Sequence, residues 1–145
     1  MRRANVFKPE FMHTSEREGY RSRSARIGRA IGGKQMGATL YELGDGERTH
    51  PFHFHHAIEE WLVVVAGTPV LRDPSGERTL RAGDVVCFPI GPQGAHQVRG
   101  PGTVLIVSAS AALEVAEYPD SGKVDVSHPR KVFRVTDAVD YWEGE

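Results

Sequence analysis

The stretch His50-Pro51-Phe52-His53-Phe54-His55-His56-Ala57-Ile58-Glu59-Glu60 decides how this chain is read. It holds four of the chain's 7 histidines within seven residues, and two carboxylates follow directly. Side chains on a strand alternate faces, so His53 and His55 point the same way, about 7 Å apart along the backbone. Imidazoles at that spacing can tilt toward one ion at roughly 2.0–2.2 Å. Phe52, Phe54 and His56 then face the other side. A carboxylate opening the next strand of a tight hairpin swings back opposite the pair. Glu60 is placed for that role, whereas Glu59 points away on a regular strand.

A fourth donor comes from Gly83-Asp84-Val85-Val86-Cys87-Phe88-Pro89-Ile90-Gly91-Pro92-Gln93-Gly94-Ala95-His96, which reads as strand, Pro/Gly loop, and a histidine opening the following strand. Three imidazoles and a carboxylate crowded into an apolar interior are costly to desolvate if left unpaired. A divalent cation satisfies all four and removes their mutual conflict. The competing reading is a solvated histidine-rich loop, which a bare His-x-His would not displace. The added register of Glu60 and His96 does.

Outward from these two segments, the texture is short apolar runs broken by turn chemistry, the pattern of an all-β sandwich or barrel. Candidate strands are 38–43, 52–56, 60–66, 69–72, 78–80, 85–89, 96–99 and 104–108, with a ninth at 113–117. Gly44-Asp45-Gly46, Asp73-Pro74-Ser75-Gly76 and Ala82-Gly83-Asp84 supply the turns. Sustained 3.6-residue periodicity is absent, so helices should be few, the best candidate being a short turn around 137–142. Residues 1–36 read as an irregular, polar N-terminal arm with room for a short strand, 37–117 as the barrel, and 118–145 as a C-terminal extension packed on its outside, where Trp61 and Trp142 could serve as anchors.

Composition narrows the field. The 145 residues suit one domain, and 39% apolar content with scattered charge suits a soluble globule. A formal net charge of -1 gives no global field toward nucleic acid or an anionic membrane. No apolar run approaches the roughly 20 residues a membrane helix needs. Met1-Arg2-Arg3-Ala4-Asn5 leads into no apolar stretch, and the single cysteine, Cys87, suits a reducing cytoplasm; a cytoplasmic protein is expected. Nine of the 18 Lys and Arg fall in the first 34 residues. Lacking helical periodicity or interleaved aromatics, this arm reads as a solvated wrap rather than a DNA-binding element.

The two segments resemble the two motifs of the cupin superfamily. His53-x-His55, four residues, Glu60, six residues and Gly67 follow the first motif, although Gly46 lies one residue too far ahead. Gly83, Pro89, Gly91 and His96 follow the second, with a loop two residues longer and Gly100 where the motif has asparagine. The resemblance, strongest to small bacterial single-domain cupins of unsettled function, implies a double-stranded β-helix (jelly-roll) barrel, usually dimeric, with one divalent metal inside on His53, His55, Glu60 and His96.

Such a donor set leaves two positions open on an octahedral ion and suits Fe, Mn, Co, Ni or Zn without choosing among them. The expected function is a metal-dependent enzyme acting on a small oxygenated metabolite, dioxygenase-like by preference. The alternatives are a Lewis-acid isomerase or lyase and a non-catalytic cupin that captures a sugar or metabolite. No catalytic acid or base can be assigned from the sequence. Tyr41 and Gln97 are possible pocket polars, although Tyr41 reads by default as core and Gln97 alternates away from His96. His50 and His56 read as rim or surface residues, and Cys87 as a small buried apolar one. Phe52, Phe54, Phe88 and Trp61 read as core or subunit-contact aromatics. A homodimer is expected, because a small jelly roll leaves an edge strand and an apolar outer face.

Overall fold

The computed structural model describes residues 1–127 and 129–145. Thirteen strands run along the described residues: β1 (His13–Ser15), β2 (Ser22–Ala25), β3 (Met36–Leu43), β4 (Phe54–His55), β5 (Glu60–Gly67), β6 (Val70–Asp73), β7 (Gly76–Thr79), β8 (Val85–Phe88), β9 (Gln97–Arg99), β10 (Gly102–Ala109), β11 (Val115–Tyr118), β12 (Lys123–Ser127) and β13 (Arg130–Arg134). One α-helical turn, α1 (Ile27–Ala30), interrupts them. All pairings are antiparallel, so the all-β jelly roll expected from the sequence is what forms.

Two layers face each other. The first is a six-stranded sheet in the order β1-β2-β3-β10-β5-β8. The second consists of β7-β6-β9 and β13-β12-β11-β4, joined where His53 and His96 exchange backbone hydrogen bonds of 3.2 and 2.9 Å. Alternation along β5, β8 and β10 puts Leu62, Val64, Phe88, Val104 and Ile106 between the layers, where Leu43, Leu71, Leu80 and Val98 close the core. That apolar packing fills one end of the barrel. The other end is polar and carries the histidines.

The nine candidate barrel strands are all present, shifted by a residue or two at their ends. The flanking segments depart from expectation. The arm carries two short strands: β2 adds to the sheet edge along β3, and Arg21–Glu47 and Arg23–Glu42 ion pairs hold it there. The C-terminal segment forms the β12–β13 hairpin, and only a 3-10 turn at Val135–Asp137 stands near the expected helical turn. Trp142 is 72% exposed, so it anchors nothing. Cys87 is likewise exposed rather than buried, because its position on β8 faces outward beside Trp61.

Candidate metal centre

Local structure brings the donors together in two steps. First, β4 and β5 place His55 and Glu60 on either side of a short connection. Second, the 88–96 loop returns the chain to β4, docking through Gly91 N–H to His55 O at 2.8 Å and through the His53·His96 exchange. Residues directly opposite in an antiparallel pair share a face, so the His53 and His96 rings meet, with centroids 4.7 Å apart. Two glycines make the loop possible. Gly91 has φ of 88°, which only glycine adopts without strain, and a Cβ on Gly94 would lie 1.8 Å from the Pro89 carbonyl oxygen.

His53, Glu60 and His96 each offer a ligand atom within 4.8 Å of the others. His55 joins through the same carboxylate: its Nε2 lies 3.2 Å from Glu60 Oε2, and His96 Nε2 lies 3.4 Å from that oxygen. The other ring nitrogens all have partners. His53 Nδ1 donates to Pro51 O at 2.9 Å, His96 Nδ1 to Gly94 O at 2.9 Å, and His55 Nδ1 to Glu114 Oε1 at 3.0 Å. Phe88 stacks flat on His96 with centroids 3.7 Å apart, and Tyr118 lies over His53 at 5.7 Å.

These partners fix the tautomers. With each Nδ1 carrying its proton, a neutral ring presents a bare lone pair at Nε2. With all three rings neutral, the interior holds three nitrogen lone pairs facing a carboxylate, and either a proton on His55 or a cation relieves that arrangement. His55 Nε2 is buried and makes no hydrogen bond. Donors converging in this way suit a divalent cation, which His53, Glu60 and His96 could hold, with His55 beside them against Glu60.

Protonation follows the same geometry. Burial, helped by the neighbouring imidazoles of His96, His55 and His50, pushes His53 down to about 3, so it stays neutral. Burial would lower His55 too, but the Glu60 and Glu114 carboxylates outweigh it and raise its pKa. For Glu60, burial is outweighed in the opposite sense: His55 and His96 hold the carboxyl well below the usual range.

Glu114 is the residue the sequence reading missed. It is 8% exposed and sits just before β11, where the β4–β11 pairing lays it beside the first motif. Its carboxylate accepts from His55 Nδ1 and from the backbone N–H of His56 and Ala57, both at 3.2 Å. Replacement Glu114→Gln should weaken divalent metal binding about 10–100-fold by loosening the His55 ring. Chelator competition on the full chain measures this, and unchanged affinity would show that Glu114 is not what orients His55.

Beside the quartet opens a cavity of about 330 Å³, into which Thr39, Tyr41, His50, Ser108, Tyr118 and Arg130 also face. Tyr41 packs against the core and also lines the cavity, its hydroxyl 3.4 Å from His50 Nε2. His50 is exposed at the cavity mouth, the rim position expected for it, and desolvation by the surrounding protein lowers its pKa. Gln97 turns away and donates to His50 O at 3.2 Å; His56 stays at the surface with Glu117 at 2.7 Å. Glu59 points outside and accepts from the Trp61 indole at 2.9 Å.

Comparison with known proteins agrees with this architecture. The family model for the cupin domain matches residues 39–109. The chain belongs to the cupin superfamily. A structure from Silicibacter pomeroyi, described as a sugar phosphate isomerase of the cupin superfamily, superposes with a TM-score of 0.82 at 24% identity, covering 98% of both chains. One from Acidithiobacillus ferrooxidans, described as a candidate sugar phosphate isomerase, gives 0.80 at 23% identity, over 94% of this chain and 90% of the other. The polyketide cyclase RemF from Streptomyces resistomycificus gives 0.57 at 19% identity, over 75% and 78%. These likenesses establish the fold, which hosts unrelated chemistries. No curated protein matches the sequence.

Proposed function

We propose that this chain is a metal-dependent isomerase of small hydroxy-carbonyl compounds of the sugar type. The observation that carries this reading is the Tyr41–His50 pair on the cavity wall, 3.4 Å apart and next to the quartet. Aldose–ketose interconversion moves one proton between adjacent carbons and one between their oxygens, and it consumes no oxidant. It therefore needs a proton carrier beside the reacting carbons. A divalent ion on the quartet would polarise the substrate carbonyl as a Lewis acid. His50, whose pKa is lowered by desolvation, can take the C–H proton at Nε2 and return it to the neighbouring carbon. The Tyr41 hydroxyl can donate to, or accept from, the substrate oxygens, and Thr39 and Ser108 can fix them.

The sequence alone favours a dioxygenase, with no acid or base in view. A cavity that supplies one supports the Lewis-acid branch instead, as does the description of two structures of matching length as sugar phosphate isomerases. The test is reconstitution with Mn, Fe, Co, Ni and Zn under anaerobic conditions, followed by NMR in D₂O with aldoses and their phosphates. Deuterium exchange at C2 with ketose formation is expected. Replacement His50→Gln should lower kcat about 10²–10⁴-fold without releasing metal. Absence of C2 exchange with every metal, alongside Fe-dependent oxygen uptake, would return the site to the dioxygenase reading.

A second copy of this chain is the proposed partner of the outer sheet face. Trp61 pairs with Cys87 and Val107, and Val63 with Val85 and Leu105, giving an apolar patch with the Glu59 carboxylate at its edge, on which Trp61 is 50% and Val85 57% exposed. A patch of this kind on a flat sheet suits isologous pairing. Sedimentation should give a dimer that Trp61→Asp converts to monomer with its metal content unchanged; a wild-type monomer would refute it.

A further inference from the structure

We infer that the C-terminal β12–β13 hairpin supplies an anion subsite, with Arg130 binding a phosphate or carboxylate group on the far end of the substrate. This rests on the reading of the cavity as a small-molecule site, and it names the substrate class: a hydroxy-carbonyl compound that also carries a negative charge.

Arg130 is the only Lys or Arg among the described residues lining the cavity, and it lies beyond the residues that the cupin family model covers. Its position is built. Asp125, whose side chain is 12% exposed, accepts from Arg130 Nε at 3.2 Å and Nη2 at 2.9 Å. The carboxylate thus grips one edge of the guanidinium and leaves Nη1 with no protein partner among the described residues. A planar fork held on one edge and free on the other suits an oxyanion, since charge-assisted hydrogen bonds to phosphate or carboxylate oxygens are strong and directional. The arginine side chain is 75% exposed, so the anion would sit at the cavity mouth.

Neighbouring groups agree. Tyr118 lines the same wall and stacks on His53, which links the mouth to the quartet. Lys123 reaches over the Tyr118 ring at 5.4 Å, adding a second cation near that side. The rest of the cavity lining offers hydroxyls and the Tyr41–His50 pair, but no other Lys or Arg among the described residues. Polarity therefore runs along the cavity: oxygen-rich carbons inward, the anion outward. This orientation delivers the carbonyl end to His50.

The test is calorimetric titration of the full Mn-loaded chain with inorganic phosphate, glucose 6-phosphate, glucuronate and glucose. One or both charged sugars should bind more tightly than glucose, and the tighter of the two identifies the group. Replacement Arg130→Gln should cost that compound about tenfold to a hundredfold in affinity, with glucose and Mn binding unchanged. Arg130→Lys, which keeps the charge but loses the fork, should recover only part. Equal binding of all three sugars, or anion binding that Arg130→Gln leaves intact, places the anion elsewhere and overturns the subsite. Binding is read apart from turnover, so loss of anion preference and loss of isomerase activity remain separate outcomes.

Discussion

Replacement Glu60→Gln should yield a folded protein that holds divalent metal more than about 100-fold more weakly than the parent. The bound applies because loss of an outer partner such as Glu114 already costs ~10–100-fold, and Glu60 is the quartet's only anion. The carboxylate lies 3.2 Å from His55 Nε2 and 3.4 Å from His96 Nε2, so it is the point at which the separate histidines converge. Its carboxamide replacement keeps shape and can donate to a bare imidazole nitrogen. The variant also loses the charge that pairs with His55 in the metal-free form, so its metal-free form should stay folded but melt somewhat below the metal-free parent. Chelator competition and thermal melting together check this. A Glu60→Gln variant that loads metal as tightly as the parent would mean the carboxylate faces no cation.

The second large effect is expected from Gly94→Ala. A Cβ there would lie 1.8 Å from Pro89 O and 2.8 Å from Pro89 C, both backbone atoms that cannot rotate away. The loop must shift, and Gly94 O is the acceptor that orients His96 Nδ1. Stability should fall by about 3 kcal/mol, a drop in melting temperature of roughly 10 °C for a domain of this size, and metal affinity should fall with it. Gly44→Ala is the matching control, since the nearest atom to its Cβ is Glu47 Cγ at 3.8 Å. If both alanines melt alike, the loop is not the rigid carrier of His96 described above.

The convergence of His53, Glu60 and His96 was legible because its spacing is local chemistry. His53-x-His55 needs only strand alternation, Glu60 only a tight hairpin, and the Pro/Gly loop before His96 announces a chain reversal. Glu114 was not legible. It reaches His55 through the pairing of β4 with β11, a contact 59 positions apart in sequence that no period encodes. The terminal strands escaped notice for another reason. β13 is exposed along its whole length, and β1 is almost so; both are held chiefly by backbone pairing. Strands without a buried face leave no apolar alternation to find. Arg130, on one of them, was therefore invisible as a cavity residue.

Anomalous diffraction at the metal's absorption edge, from crystals of the metal-loaded full chain, tests the central claim most directly. One peak is predicted, about 2.0–2.2 Å from Nε2 of His53, His55 and His96 and from a Glu60 carboxylate oxygen. No peak inside the quartet, or ions found only on surface groups such as His56 and Glu117, would contradict the account.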